Sequence, residues 1–260
     1  MSETRSTVTR AMVLLSLVFM TGCAGLIPPE LVHRMHMKPL VPEGRGDYYV
    51  DLEDSSLVFS IEGALIKVRH LNDQELDQDF PPLWDGKHIN PYTSGEVSPD
   101  IGYTPPIFTV FRVTVTNSTY SKIEFDPAQA IVLTDAGERL TFYDASRGSD
   151  SPNNFRKYYR VELGISGQEK SLALERMGTV YKTAYHRARP VFRGDTHSGL
   201  VAFDPLSQDV REITLTINDF VLSFDANNNP QQTVDCEFRF AVEQQIKPAT
   251  LEEESPNGDP

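Results

Sequence analysis

The chain has 260 residues, with 37 acidic against 24 basic side chains and a formal charge of −13. That excess disfavours a phosphate-backbone partner, so nucleic acid is not expected among its ligands, and an anionic membrane surface would repel it too. Two cysteines exclude a disulfide scaffold, so the fold has to be held by its core.

Arg5 and Arg10 precede an uncharged apolar run from Ala11 to Met20, the pattern of a secretory signal. A membrane-spanning helix is the competing reading, weakened by Thr21, Gly22, Gly25, Pro28 and Pro29. Met20-Thr21-Gly22-Cys23 resembles a bacterial lipobox, with Met20 in place of the usual leucine. The resemblance implies a signal peptide over 1–22, cleavage ahead of Cys23 and covalent lipid on that cysteine, with no other cofactor. Each buried methylene of such a lipid contributes about 0.8 kcal/mol of membrane attachment. Ala24, where aspartate would favour inner-membrane retention, implies the outer membrane by analogy with lipoproteins of two-membrane bacteria. The periplasmic side is expected, with the inner membrane or cell surface as alternatives. A lipidated Cys23 leaves Cys236 without an intramolecular partner.

Residues 23–50 hold four prolines and three glycines with no sustained period and read as the lipidated N-terminus and a flexible tether. Within it, His33, Met35, His36 and Met37 are the candidate metal ligands, suited to copper, against the alternative of solvated tether residues. Period-two apolar patterns then predict strands: Leu57/Phe59/Ile61, Ala64/Ile66/Val68, Phe111/Val113/Val115, Leu140/Phe142, Ile213/Leu215/Ile217 and Phe220/Leu222/Phe224. The last is Val234/Cys236/Phe238/Phe240, which buries Cys236 as an inert thiol. Asn72 with Glu75 and Leu71 with Leu76 predict a short capped helix. Ser166 and Glu169 predict a longer one over 167–185 through Leu174, Met177 and Tyr181. Asp73, Glu75, Asp77 and Asp79 lack the calcium-loop pattern and read as a solvated acidic loop. Residues 244–260 read as a disordered acidic tail. The domain proper is expected over 51–243.

Residues 81–106 contain six prolines, and a loop that long is usually functional or disordered. It carries Trp84, Tyr92 and Tyr103, with Phe108 beside it. These aromatics form either a rigid partner-contact surface or a cover over the sheet edge. Asp195-Thr196-His197-Ser198-Gly199 holds acid, base and hydroxyl together, but in an extended segment His197 and Ser198 point to opposite faces, so a turn between Phe192 and Leu200, with Gly194 allowing the reversal, is the expected role. Asn117-Ser118-Thr119 matches a glycosylation sequon by chance.

Phe111 to Asn117, Phe125-Asp126-Pro127, Leu133 to Gly137 and Gly199 to Phe203 together are similar to immunoglobulin-like domains of unknown function in bacterial surface lipoproteins, over 107–243. The resemblance implies that these are fold residues and brings no catalytic set. The sequence therefore leads to a mostly β protein: an immunoglobulin-like antiparallel β-sandwich with one inserted helix and a long proline-rich loop. Its expected role is that of a noncatalytic, lipid-anchored envelope protein that binds or assembles another envelope protein through residues 72–106. An envelope hydrolase acting on wall or surface glycans and a copper-handling lipoprotein are the alternatives.

Overall fold

The computed structural model describes residues 31–160 and 166–248. The expected signal sequence, Cys23 and residues 249–260 of the tail lie outside them. Alternating apolar side chains build two five-stranded sheets. The first has the order β1 (Leu31–Leu40), β12 (Pro230–Pro248), β11 (Glu212–Phe224), β7 (Ala130–Thr134) and β8 (Arg139–Thr141). The second runs β10 (Thr196–Phe203), β5 (Thr109–Asn117), β4 (Ala64–Leu71), β3 (Leu57–Ile61) and β2 (Tyr48–Val50). A small ribbon pairs β6 (Lys122–Ile123) with β9 (Val191–Phe192). The β2–β3–β4–β5–β10 and β12–β11–β7–β8 neighbours are all antiparallel. The expected β-sandwich is present. Its interior is filled by Phe59, Ile66, Phe111, Phe203, Phe238, Phe240 and the fully buried Cys236.

Two expectations about boundaries are corrected. Residues 31–40 are a strand of the first sheet, with Met35 and Met37 buried in the core, and Tyr48 to Val50 form β2, so the tether does not extend to residue 50. At the far end β12 continues to Pro248, so residues 244–248 belong to a strand and not to a tail. Within the domain, the 107–243 stretch shares both sheets with what precedes it. Four of the ten strands in the two sheets precede residue 107, and β4 is hydrogen-bonded along its length to β5.

The patterns at Ile213/Leu215/Ile217 and Phe220/Leu222/Phe224 are out of phase, yet they lie on one strand. A bulge between Ile217 and Phe220 restores the inward face, with Asp219 at φ +52 and its amide bonded to the Asp235 carboxylate at 2.9 Å. On β10, Gly199 leaves room for a neighbouring backbone: a Cβ there would lie 2.6 Å from the Tyr185 N and Cα atoms.

A second apolar cluster lies on the outer side of the β4–β5–β10 face. Leu71, Val110, Leu200 and Ala202 of that face pack with Leu76, Tyr92, Phe108, Phe155, Met177 and Val180. The covering pieces are α1 (Asp73–Asp79), α2 (Phe155–Tyr158), α3 (Gly167–Thr183) and the proline-rich segment. The α1 start follows the expected capping box, since Asn72 accepts from the Glu75 amide and the Glu75 side chain accepts from the Asn72 amide. The α3 start does not. Gly167 has φ +63, and the Ser166 side chain makes no cap bond. The buried stripe of α3 is Ala173, Met177 and Val180, whereas Leu174 is half exposed.

Candidate functional site

The proline-rich segment has no regular structure, but most of its centre is packed. Asn90, Pro91, Tyr92 and Thr93 are buried. Asp77 of α1 accepts from Asn90 Nδ2 at 2.8 Å and Thr93 Oγ1 at 2.6 Å, and the Tyr92 hydroxyl meets Thr183 Oγ1 of α3 at 2.7 Å. Burial pushes the Tyr92 hydroxyl far above its usual titration range. Tyr103 is also buried; it accepts from the Gln208 side chain and stacks on His33 at 5.8 Å. Of the three aromatics considered as a contact surface, Tyr92 and Tyr103 are therefore interior, because each satisfies its hydroxyl by folding back onto the sandwich.

Trp84 is the exception, at 97% exposure. It stands at the tip of a closed turn in which the Gly86 amide donates to the Leu83 carbonyl at 2.8 Å and the Leu83 amide to the Lys87 carbonyl at 3.0 Å. Gly86 takes the left-handed conformation the turn requires (φ +78). The turn is tied down by Lys87 Nζ donating to Glu175 of α3 at 2.9 Å, and by Arg176 Nη2 donating to the His88 carbonyl at 3.1 Å. A rigid base thus presents an indole, with the partly exposed Leu83 beside it.

The four acids at 73–79 are helical, which corrects the solvated-loop reading. Glu75 pairs with Arg69 and Asp79 with Arg112 at 2.7 Å, and these two arginines face each other across β4 and β5. Among the described residues Asp73 has no cation partner. Burial and the adjacent Asp77 raise its carboxyl to about 7.

The candidate copper ligands diverge. Strand alternation sends Met35 and Met37 into the core and leaves His36 exposed, while His33 Nε2 is bonded to Gln244 Oε1 at 3.1 Å. Among the described residues no three His, Cys, Asp or Glu side chains are placed to hold a metal ion. The reversal falls at Gly194 (φ +87), the glycine expected to allow it, and residues 196–199 are strand. His197 packs on Tyr185 at 4.7 Å while the Ser198 hydroxyl pairs with Thr114 at 2.8 Å, on opposite faces. Asn117 is fully buried: its Nδ2 donates to the Tyr120 and Val191 carbonyls, and its Oδ1 accepts from the Thr119 and Tyr120 amides. The sequon asparagine is a structural brace.

An open groove of about 560 Å³ escaped the sequence reading. Its lining includes Phe142, Asp144, Ser146, Arg147, Ser149 and Arg187. Asp144 is 3% exposed and accepts from the Ser146 amide at 2.8 Å and the Ser149 hydroxyl at 2.7 Å. Burial alone would raise its carboxyl, but these hydrogen bonds and the Arg187 guanidinium 4.0 Å away hold it below the usual carboxylate range. Arg187 is in turn clamped by both oxygens of Asp126 at 3.0 and 3.1 Å. Held in its ionised form by these contacts, Asp144 serves the groove as a hydrogen-bond acceptor and not as a proton donor. The available signal was Asp144 and Asn154 bracketing a Ser/Gly/Pro-rich stretch between aromatics. Such composition reads equally as any turn.

Compared with known protein families, characterised proteins and solved structures, the chain has no match.

Proposed function

We propose that this is a noncatalytic, lipid-anchored envelope protein that binds another envelope protein through the Leu83–Lys87 turn. The observation that carries the reading is Trp84, 97% exposed on a turn hydrogen-bonded at its base and tied to α3. Tryptophan is among the residues that dominate interface energies, and a preorganised base reduces the entropy lost on binding. Cys23 supplies the anchor, and the outer membrane with a periplasmic orientation is the proposed location. The strands from Phe111 onward keep the likeness to immunoglobulin-like lipoprotein domains as a proposal about ancestry.

Photo-crosslinking in intact cells tests the reading. The wild-type chain yields a crosslinked envelope partner. Trp84→Ala loses that partner while keeping its melting temperature, and Cys23→Ser moves the chain from the membrane to the soluble fraction. A wild-type chain recovered alone, or a partner retained in full by Trp84→Ala, counts against it.

A further inference from the structure

We infer that the end of the sandwich carrying the Val97–Tyr103 turn rests on the phospholipid surface to which the chain is anchored, with Val97 and Ile101 as the side chains that enter it. The inference rests on lipidation of Cys23, proposed above.

Nine residues lie between Cys23 and His33, and the ten steps of chain reach at most about 35 Å even when fully extended. The body is therefore held close to the bilayer by its β1 end. At that end the His33 ring stacks on Tyr103, and Tyr103 closes a compact turn. The Ser98 amide donates to the Tyr103 carbonyl at 3.0 Å and the Gly102 amide to the Ser98 carbonyl at 2.8 Å. The turn does not hide its aliphatic side chains: Val97 is 47% and Ile101 42% exposed. Ile246 is also exposed, two residues beyond the Gln244 that meets His33. Val97 and Ile101 thus stand in water on the turn that Tyr103 closes against His33, and Ile246 lies two residues from the other partner of His33.

Each would bury only part of its surface at a headgroup boundary, too little to hold a free protein. A covalent anchor changes that balance, because tethering makes the second contact intramolecular and gives it a high effective concentration. Charge selects the lipid. At the turn itself, Glu96 just before it and Asp100 within it are exposed, so a zwitterionic surface, whose ammonium groups can meet them, suits it better than an anionic one.

The test uses the full lipidated chain, purified from membranes and reconstituted into zwitterionic phospholipid vesicles whose acyl chains are brominated near the headgroup. The protein has a single tryptophan, Trp84, so its own fluorescence reports on the other exposed turn. A double variant, Ile101→Trp with Trp84→Phe, reports on this one, and Val97→Trp with Trp84→Phe stands in if the first does not fold. The expected result is strong quenching in the variant, little in the wild type, and weaker quenching when anionic lipid is added. An unquenched variant on a lipidated chain overturns the contact alone. Quenching that strengthens with anionic lipid overturns the assignment of the surface. Mass spectrometry of the same sample showing no lipid on Cys23 overturns the anchoring and the contact together.

Discussion

His70 projects from β4 into the sandwich, 8% exposed, edge-on to Phe111 at 5.7 Å and with its Nε2 unpartnered among the described residues. Burial, assisted by the charges of His36 and Arg69, lowers its pKa from 6.5 to about 3. The folded protein therefore keeps a neutral imidazole while the unfolded chain takes up a proton, and stability falls as pH drops from 6.5 toward 3. One such proton is worth about 1.4 kcal/mol per pH unit inside that window. Urea midpoints for His70→Gln should consequently be less pH-dependent than wild type between pH 6 and 4. Asp73 has the opposite sign. Its folded-state pKa, near 7, lies above the ordinary 3.8, so the stability it contributes is present below 3.8 and is lost as pH rises through about 7. Asp73→Asn should then raise the melting temperature at pH 8 and change it little at pH 4. Neither shift was legible in the sequence, because both arise from neighbours that only the packed structure supplies.

α1 is short, and its local and tertiary contacts point the same way. The Asn72 cap, the Leu71 and Leu76 contacts, the Glu75 and Asp79 ion pairs and the two donors to Asp77 all fix it against the second sheet and the proline-rich segment. Exposed ion pairs contribute little individually, whereas a lost side-chain cap costs about 1 kcal/mol. Asn72→Ala should lower stability by about that amount. It should also speed proteolysis within 81–106, read by limited digestion, since Asn90 and Thr93 lean on the same helix. The cap was readable because a capping box involves residues only three apart. The same pattern failed at Ser166, where Gly167 in a left-handed conformation leads the chain into α3 by another route. A bulge at Asp219 likewise merged two predicted strands into one, which no local period reveals.

Across the molecule, the first described strand matters most for the organisation. Met35 and Met37 are buried in the core, and β1 flanks β12. Deleting residues 31–40 would leave β12 with an open edge and remove two buried methionines, each worth about 2–5 kcal/mol by the cost of truncation to alanine. A chain lacking them should melt well below wild type or aggregate, whereas a flexible tether could be shortened without loss. The repeated alternation of apolar and polar residues was enough to establish a mostly β, antiparallel sandwich, because facing one side of a pleated sheet imposes a period of two wherever it occurs. That signal is weak in a segment such as Leu31 to Leu40, where histidine, arginine and proline interrupt it and the inward face is made by methionines. Which of Trp84, Tyr92 and Tyr103 faces solvent was likewise undecided by sequence, since all three sit in the same irregular stretch. Only the tertiary fold separates them: it provides hydrogen-bond partners and apolar walls for the two tyrosines and leaves the indole on a braced turn in water.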